Sequence, residues 1–236
     1  MASRTDNRKP KRSHVGLWVA FAFILMLIAW WEVSVPRPAN TQVVPVAAVP
    51  AAVPELPSAG SQIAMFAGGC FWSVEAEFDK IAGVLSTTSG YMGGVTVNPS
   101  YEQVSSQVTG HAETVKVEFD PTQVTYRQLL AHYWRSIDPT ARDGQFCDQG
   151  TSYRSVIFAT SAEQFQLAQA SKMALTQSKP FRAEVVTAIE MASTFFPAEA
   201  EHQDYHQNYP VRYRQYRERC GRDAELRHLW GDVAAK

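Results

Sequence analysis

Two adjacent glycines, Gly68 and Gly69, separate a short apolar run at residues 63–67 from a helical pattern that begins near Val74. The run reads as a buried strand. The glycines allow the tight turn that carries a strand straight into a helix. Cys70 follows that turn, so it falls at a helix N-terminus. Unsatisfied N–H groups there favour an anion, and a thiolate in that place is expected to have a lowered pKa. A chain built this way begins its domain as strand, turn and helix, with a thiol that is either an inert core residue or a reactive one.

Three segments come before that turn. Residues 1–14 hold Arg4, Arg8, Lys9, Lys11 and Arg12 against Asp6, and residues 15–31 carry no charge, with Trp18, Trp30 and Trp31 near the two ends. The apolar segment, residues 15–33, is at the short end of a membrane span and longer than the usual core of a signal peptide. With its basic flank it predicts a retained single-pass anchor rather than a cleaved signal, the N-terminus staying in the cytoplasm. The catalytic part would then lie outside the cytoplasm, on the periplasmic side in a Gram-negative cell. Residues 34–61 space six prolines among Ala and Val, which predicts an extended linker. The folded domain is expected over residues 62–232.

Within the domain, strands are expected over 63–67, 84–90, 112–119, 154–159 and 184–190, with alternation of period two along 84–90 and 112–119. Helices are expected over 74–81, 101–106, 126–137 and 161–177, with Ser100 as an N-cap. Residues 138–152 show no strong period and read as a long functional loop. The tail, residues 212–230, reads as basic, aromatic and mobile around Cys220-Gly221. Several strands lie too close in sequence for crossovers. The fold class expected is therefore α+β, with helices packed on a mixed, largely antiparallel sheet.

Net charge is −1, and no basic face stands out beyond the N-terminus, which argues against nucleic acid as a partner. The cysteines, Cys70, Cys147 and Cys220, form no C-x-x-C and no Cys/His pair at zinc spacing. His202 and His206 have the helical spacing of a metal pair, but no third ligand accompanies them, so no metal site is expected. Glu113 shares a strand face with Val115, Val117 and Phe119. A carboxyl on an apolar face should have a raised pKa and act as an acid near neutral pH. Tyr91 and Tyr153 lie beside glycine-rich backbone, where their hydroxyls can donate to a substrate oxygen. Asp148 can accept from a peptide amide or fix its own turn. His111 raises the alternative of a Cys/His thiol hydrolase. Cys220, flanked by Arg219 and Arg222, reads as a second thiol of the sort an enzyme needs when its first is oxidised in turnover.

Residues 69–75, Gly-Cys-Phe-Trp-Ser-Val-Glu, closely resemble the G-C-F-W-[GS]-x-E signature of the A-type peptide methionine sulfoxide reductases. Gly90-Tyr91, Gly110-His111-Ala112-Glu113, the block from Asp148 through Gly150 to Tyr153-Arg154-Ser155, and Ala200-Glu201-His202-Gln203-Asp204-Tyr205 resemble further blocks of that family, in the same order. The resemblance implies a two-layer α/β plait with long loops. It implies that Cys70 attacks the sulfur of a methionine S-sulfoxide while Glu113, Tyr91 and Tyr153 hold and protonate its oxygen. Phe71 and Trp72 would wall the methyl group and Asp148 would hold the substrate backbone. Cys70 would be left as a sulfenic acid, Cys220 would resolve it to a disulfide, and a thioredoxin-like or other dithiol reductant would open that disulfide, with no bound cofactor. Many members carry two recycling cysteines in a glycine-rich tail. Here the tail holds Cys220 alone, and Cys147 is an extra thiol, structural or competing. The expected partners are oxidised methionine in proteins or peptides, the reductant and the membrane, and a monomer is expected. The competing readings are the hydrolase and an anchored peptide-binding module built on Phe71 and Trp72.

Overall fold

The structure, a computed structural model, describes residues 60–231. The basic segment, the apolar segment and nearly all of the linker lie outside the described residues. Among those described, no helix is long and apolar enough to cross a membrane.

Alternation along residues 62–119 produces three neighbouring antiparallel strands, β1 (Gln62–Gly68), β2 (Val84–Met92) and β3 (Ala112–Phe119), with β3 in the middle. β4 (Gly144–Gln145) and β5 (Asp148–Gln149) form a small separate hairpin whose turn is Phe146-Cys147. β6 (Ser155–Ala159), β7 (Ala188–Met191) and β8 (Phe196–Pro197) complete a six-stranded sheet of order β7-β6-β1-β3-β2-β8. The β6–β7 pair is parallel and the other pairs are antiparallel. β7 starts later than the pattern at 184–190 predicts. The amide of Val186 donates to the Pro139 carbonyl at 2.8 Å, which leaves the ladder to begin at Ala188.

The helices are α1 (Phe71–Phe78), α2 (Tyr101–Ser105), α3 (Tyr126–Ser136), α4 (Ala162–Ser178), α5 (Tyr205–Asn208), α6 (Pro210–Cys220) and α7 (Arg222–Trp230). Ser100 and Thr125 each close a capping box, with Gln103 and Gln128, which fixes where α2 and α3 begin. Phe66 of β1, Val115 and Val117 of β3 and Ile157 of β6 point to one face of the sheet. There they meet Phe71, Val74 and Phe78 of α1, Leu129, Leu130 and Tyr133 of α3 and Leu226 and Trp230 of α7 in one core. Each fully buried side chain of this size contributes about 1.5–3 kcal/mol. The opposite face carries a smaller cluster around Met65, Ala67, Met92 and Phe158. The result is the two-layer, mixed-sheet arrangement anticipated from the sequence.

The tail differs from its reading as a mobile segment. It is two helices, α6 and α7, joined at Gly221, whose φ of 69° is the left-handed conformation glycine adopts without penalty. Arg217 ties α6 to α1 through Glu77, 2.7 Å, and to α7 through Asp223, 2.6 Å. Glu77 is buried, yet Arg217 and Lys80 outweigh that burial and hold its carboxyl below the ordinary range.

Candidate functional site

The site is assembled where the β1–α1 turn meets the start of α2, the β4–β5 hairpin and α6. Gly69 has φ +92°, and a Cβ there would stand 2.6 Å from Cβ of Gln145, so the turn is pressed against that hairpin. Cys70 is the N-cap of α1 and buried, and among the three cysteines it alone is a free thiol. Glu113 is 1% exposed, and its Oε2 accepts the Phe71 amide at 2.8 Å. The period-two face predicted for Glu113 therefore holds, and burial drives its carboxyl up to about 8 against the pull of that one N–H.

The expectation of a lowered Cys70 pKa is overturned. Burial pushes the thiol up, and the neighbouring Glu113 and Asp148 carboxyls push it further. The Tyr216 hydroxyl and the Trp72 amide pull the other way and do not prevail. The physical reason is that the Phe71 amide of the helix N-terminus is already donated to Glu113, and desolvation outweighs what remains. The site at rest therefore holds a neutral thiol beside a carboxyl that keeps its proton near neutral pH.

Aromatic rings enclose this pair. Phe71 lies against Tyr91, Tyr101, Trp72 and His202, with centroid separations of 5.5–6.5 Å. Trp72 stacks on Tyr205 at 3.8 Å and donates its Nε1–H to Nδ1 of His202. On the other side the Tyr216 hydroxyl donates to Oδ2 of Asp148 at 2.6 Å and also lies within hydrogen-bonding reach of Cys70. Next to Asp148, Cys147 is joined to Cys220 in a disulfide with a Cα–Cα separation of 4.9 Å. Arg222 anchors the junction of α6 and α7. It is wholly buried, donates to the carbonyls of Gly68 and Ser136, and lies 4.5 Å over the Phe146 ring. A buried acid beside a buried thiol, walled by aromatic rings and flanked by a disulfide, is equipped to move an oxygen onto sulfur and pass the oxidation on.

The model of the family described as peptide methionine sulfoxide reductase matches residues 62–234. The chain belongs to this family. Peptide methionine sulfoxide reductase MsrA of Bacillus licheniformis is 48% identical over 170 residues, covering 72% of this chain and 94% of that protein. MsrA of Ligilactobacillus salivarius is 51% identical over 150 residues, 64% of this chain and 87% of that one. Among solved structures, the reduced form of Mxr1 from Saccharomyces cerevisiae superimposes with a TM-score of 0.63 at 28% identity, covering 66% of this chain and 90% of that one. Methionine sulfoxide reductase A of Corynebacterium diphtheriae gives a TM-score of 0.58 at 31% identity, covering 65% and 77%. The reaction of this reductase is the reduction of methionine sulfoxide.

Cys70, Glu113, Phe71, Trp72, Tyr153 and Asp148 are thus brought together in the reductase fold. Burial together with Glu113 raises the pKa of Tyr153, and Cys70 and Asp148 act on it too. Tyr91 lies within electrostatic reach of Glu113, as a site residue should. It pairs with Glu113 across β2 and β3, but its hydroxyl is donated to Oε2 of Glu199 at 2.8 Å. Tyr101 adds a further hydroxyl within electrostatic reach of Glu113, Cys70 and Asp148. The sequence reading passed over it as the first residue of a short helix. His111 is not a base for Cys70: its Nδ1 accepts the Gly94 amide and its Nε2–H donates to the Thr96 carbonyl. The hydrolase alternative falls with it. His202 and His206 go to different partners, Trp72 and Asp79. Among the described residues, the group whose ligand atoms lie close enough to share a cation is Cys147, Asp148 and Cys220, and there the two sulfurs are joined to each other. Cys147, left open by the sequence, is the partner of Cys220.

Proposed function

We propose that the chain reduces the S epimer of methionine sulfoxide, free or in polypeptides, through a sulfenic acid on Cys70. Cys70 gives up its proton and attacks the sulfoxide sulfur while Glu113 protonates the oxygen, with Tyr101 and Tyr153 donating hydrogen bonds to it. The oxygen passes to Cys70 as a sulfenic acid and methionine leaves, so the sulfoxide is reduced and the thiol oxidised by the same two electrons. Cys220 attacks the sulfenic sulfur and water departs. Cys147 then displaces Cys70 from Cys220, which leaves Cys70 a thiol and the other two cysteines bridged. A thioredoxin-like dithiol reopens that bridge. Phe71 and Trp72 wall the methyl group, and Asp148 holds the substrate backbone when Tyr216 releases it.

The observation that carries this reading is the neutral Cys70–Glu113 pair beside the Cys147–Cys220 bridge. The test is the full chain with dithiothreitol and each epimer of methionine sulfoxide. Methionine should form from the S epimer and vanish in Cys70→Ser; no product from wild type sinks the reading.

We further propose that residues 15–33 anchor the reductase in the inner membrane, with its domain outside the cytoplasm. Support comes from the uncharged run and its basic flank. Alkaline extraction of membranes and protease accessibility in spheroplasts test it; release into the soluble fraction argues against an anchor.

A further inference from the structure

Among the exposed large apolar side chains, which include Leu85, Met173, Met191, Tyr209 and Val211, the three most exposed are valines on neighbouring loops. Val95 is 90% exposed, and Val97 and Val108 are each 74% exposed. They belong to two loops, residues 93–100 and 106–111, which lie side by side. The Val95 amide donates to the Thr109 carbonyl at 3.1 Å, and His111 bridges the loops through its bonds to Gly94 and Thr96. In residues 93–111, Glu102 is the sole acidic side chain and there is no Lys or Arg. Scattered exposed valines need no explanation, but a cluster on an uncharged, cross-braced pair of loops does.

The position of this cluster supplies the explanation. Tyr101, whose hydroxyl faces the reacting pair, begins the helix that separates the two loops. On the other side, Gln107, next to Val108, is bonded to Ser152 by both its amide nitrogen, 2.7 Å, and its carbonyl oxygen, 2.8 Å. That bond fastens the second loop to the turn that carries Tyr153. The valines therefore lie on the two loops that flank the helix of Tyr101, the second of them fastened to the turn of Tyr153. A methionine whose sulfur reaches Cys70 brings its own backbone to the side of the molecule where these tyrosines stand, so neighbouring residues of its chain pass close to those loops.

Resting on the reading above, we infer that Val95, Val97 and Val108 form a docking rim for the extended, apolar stretch of polypeptide that flanks an oxidised methionine. The rim selects unfolded chain over free amino acid. Val95 and Val97 share the first loop, and Val108 lies on the adjoining one, where the next residue, Thr109, accepts the Val95 amide. Because hydrogen bonds already fix both loops, docking orders little of the enzyme. Three exposed valines make an apolar flank the occupant that gains most from burial there.

The test compares wild-type full chain with two triple variants, Val95→Ser/Val97→Ser/Val108→Ser and Val95→Asp/Val97→Asp/Val108→Asp. Two substrates are used, free methionine S-sulfoxide and peroxide-oxidised β-casein, an unfolded polypeptide. The expected result is a KM for casein raised about tenfold in the Ser triple and further in the Asp triple, with kcat unaltered and both constants for the free amino acid at wild-type values. Retained turnover of the free substrate reports an intact fold, and if the Asp triple loses it the Ser triple decides. Equal changes for both substrates, or no change for casein, overturn the rim. Loss of a wild-type dimer in the variants, seen by sedimentation with unchanged casein KM, assigns the valines to a second copy and also overturns it. If wild type reduces neither substrate, the underlying functional reading has failed and the rim falls with it.

Discussion

Replacing Glu113 by Gln isolates the acid. Gln keeps an oxygen for the Phe71 amide, so the turn that holds Cys70 stays supported. What it removes is the proton. With a pKa of about 8, roughly nine in ten Glu113 carboxyls are protonated at pH 7. At an ordinary glutamate pKa fewer than one in a hundred would be, so burial raises the supply of acid roughly 300-fold. General acids of this type contribute about 10²–10⁴ to a rate. The assay is a rapid-quench single turnover of pre-reduced chain, with methionine as product, from about pH 6 to about pH 9.5. Wild type should lose its acid as pH rises through about 8, and because the Cys70 thiolate is still increasing there its rate constant should stop rising and stay level along that limb. The variant should be slower by two to four decades at pH 7 and should lack the limb. Because the Glu113 carboxyl raises the Cys70 pKa, the variant should also alkylate with iodoacetamide at lower pH than wild type. A variant within threefold of wild type, or one that keeps the limb, would refute the assignment of Glu113 as the acid.

Tyr101→Phe should slow single turnover by about 10–100-fold and Tyr91→Phe by less; the reverse order would return the donor role to Tyr91. Cys147→Ser should keep one turnover and then stop as a Cys70–Cys220 disulfide, visible by non-reducing peptide mapping, whereas wild-type recycling would remove Cys147 from the cycle. Glu75, wholly buried in α1 with no well-formed hydrogen bond to either oxygen, is driven by burial and by Asp79 and Asp204 up to about 8. Its folded pKa is raised, so its stabilising share is complete below about pH 4.5 and lost as pH rises through about 8. Glu75→Gln should therefore leave urea stability unchanged at about pH 4.5 and raise it by ~2–4 kcal/mol at about pH 8.5; equal stability at the higher pH would show that water reaches the carboxyl.

The buried carboxyl of Glu113 was legible because a strand has a period of two. Glu113 shares its parity with Val115, Val117 and Phe119, and a residue fixed by parity cannot choose its face. The glycine turn was legible for a similar reason, since few residues tolerate φ near +90°. The thiol's ionisation was not. The helix-terminus argument counts amides without asking who has already taken them, and the Phe71 amide goes to a carboxyl group 42 residues away in sequence. The tail was misread because α6 lacks an apolar stripe. Its inward side, half-buried, is made of Tyr213, Tyr216 and Arg217, the last held by charge, so hydropathy is silent there. The signal was present in another form: Tyr209, Tyr213, Tyr216 and Cys220 recur at steps of four, three and four. The Cys147–Cys220 pairing joins residues 73 apart, and no local pattern announces a bond of that span.

The Cys147–Cys220 bridge leaves Cys70 reduced, and this has a consequence for how many electrons one molecule stores. Three thiols behave as a charge of fixed capacity. Starting fully reduced and cut off from any donor, the chain can discharge once into the bridge and once more into the sulfenic acid on Cys70. Its burst should therefore yield two methionines per molecule, and a chain isolated with the bridge already closed should yield one. A protein working where reductant arrives intermittently would thus retain one further repair after its last encounter with a donor.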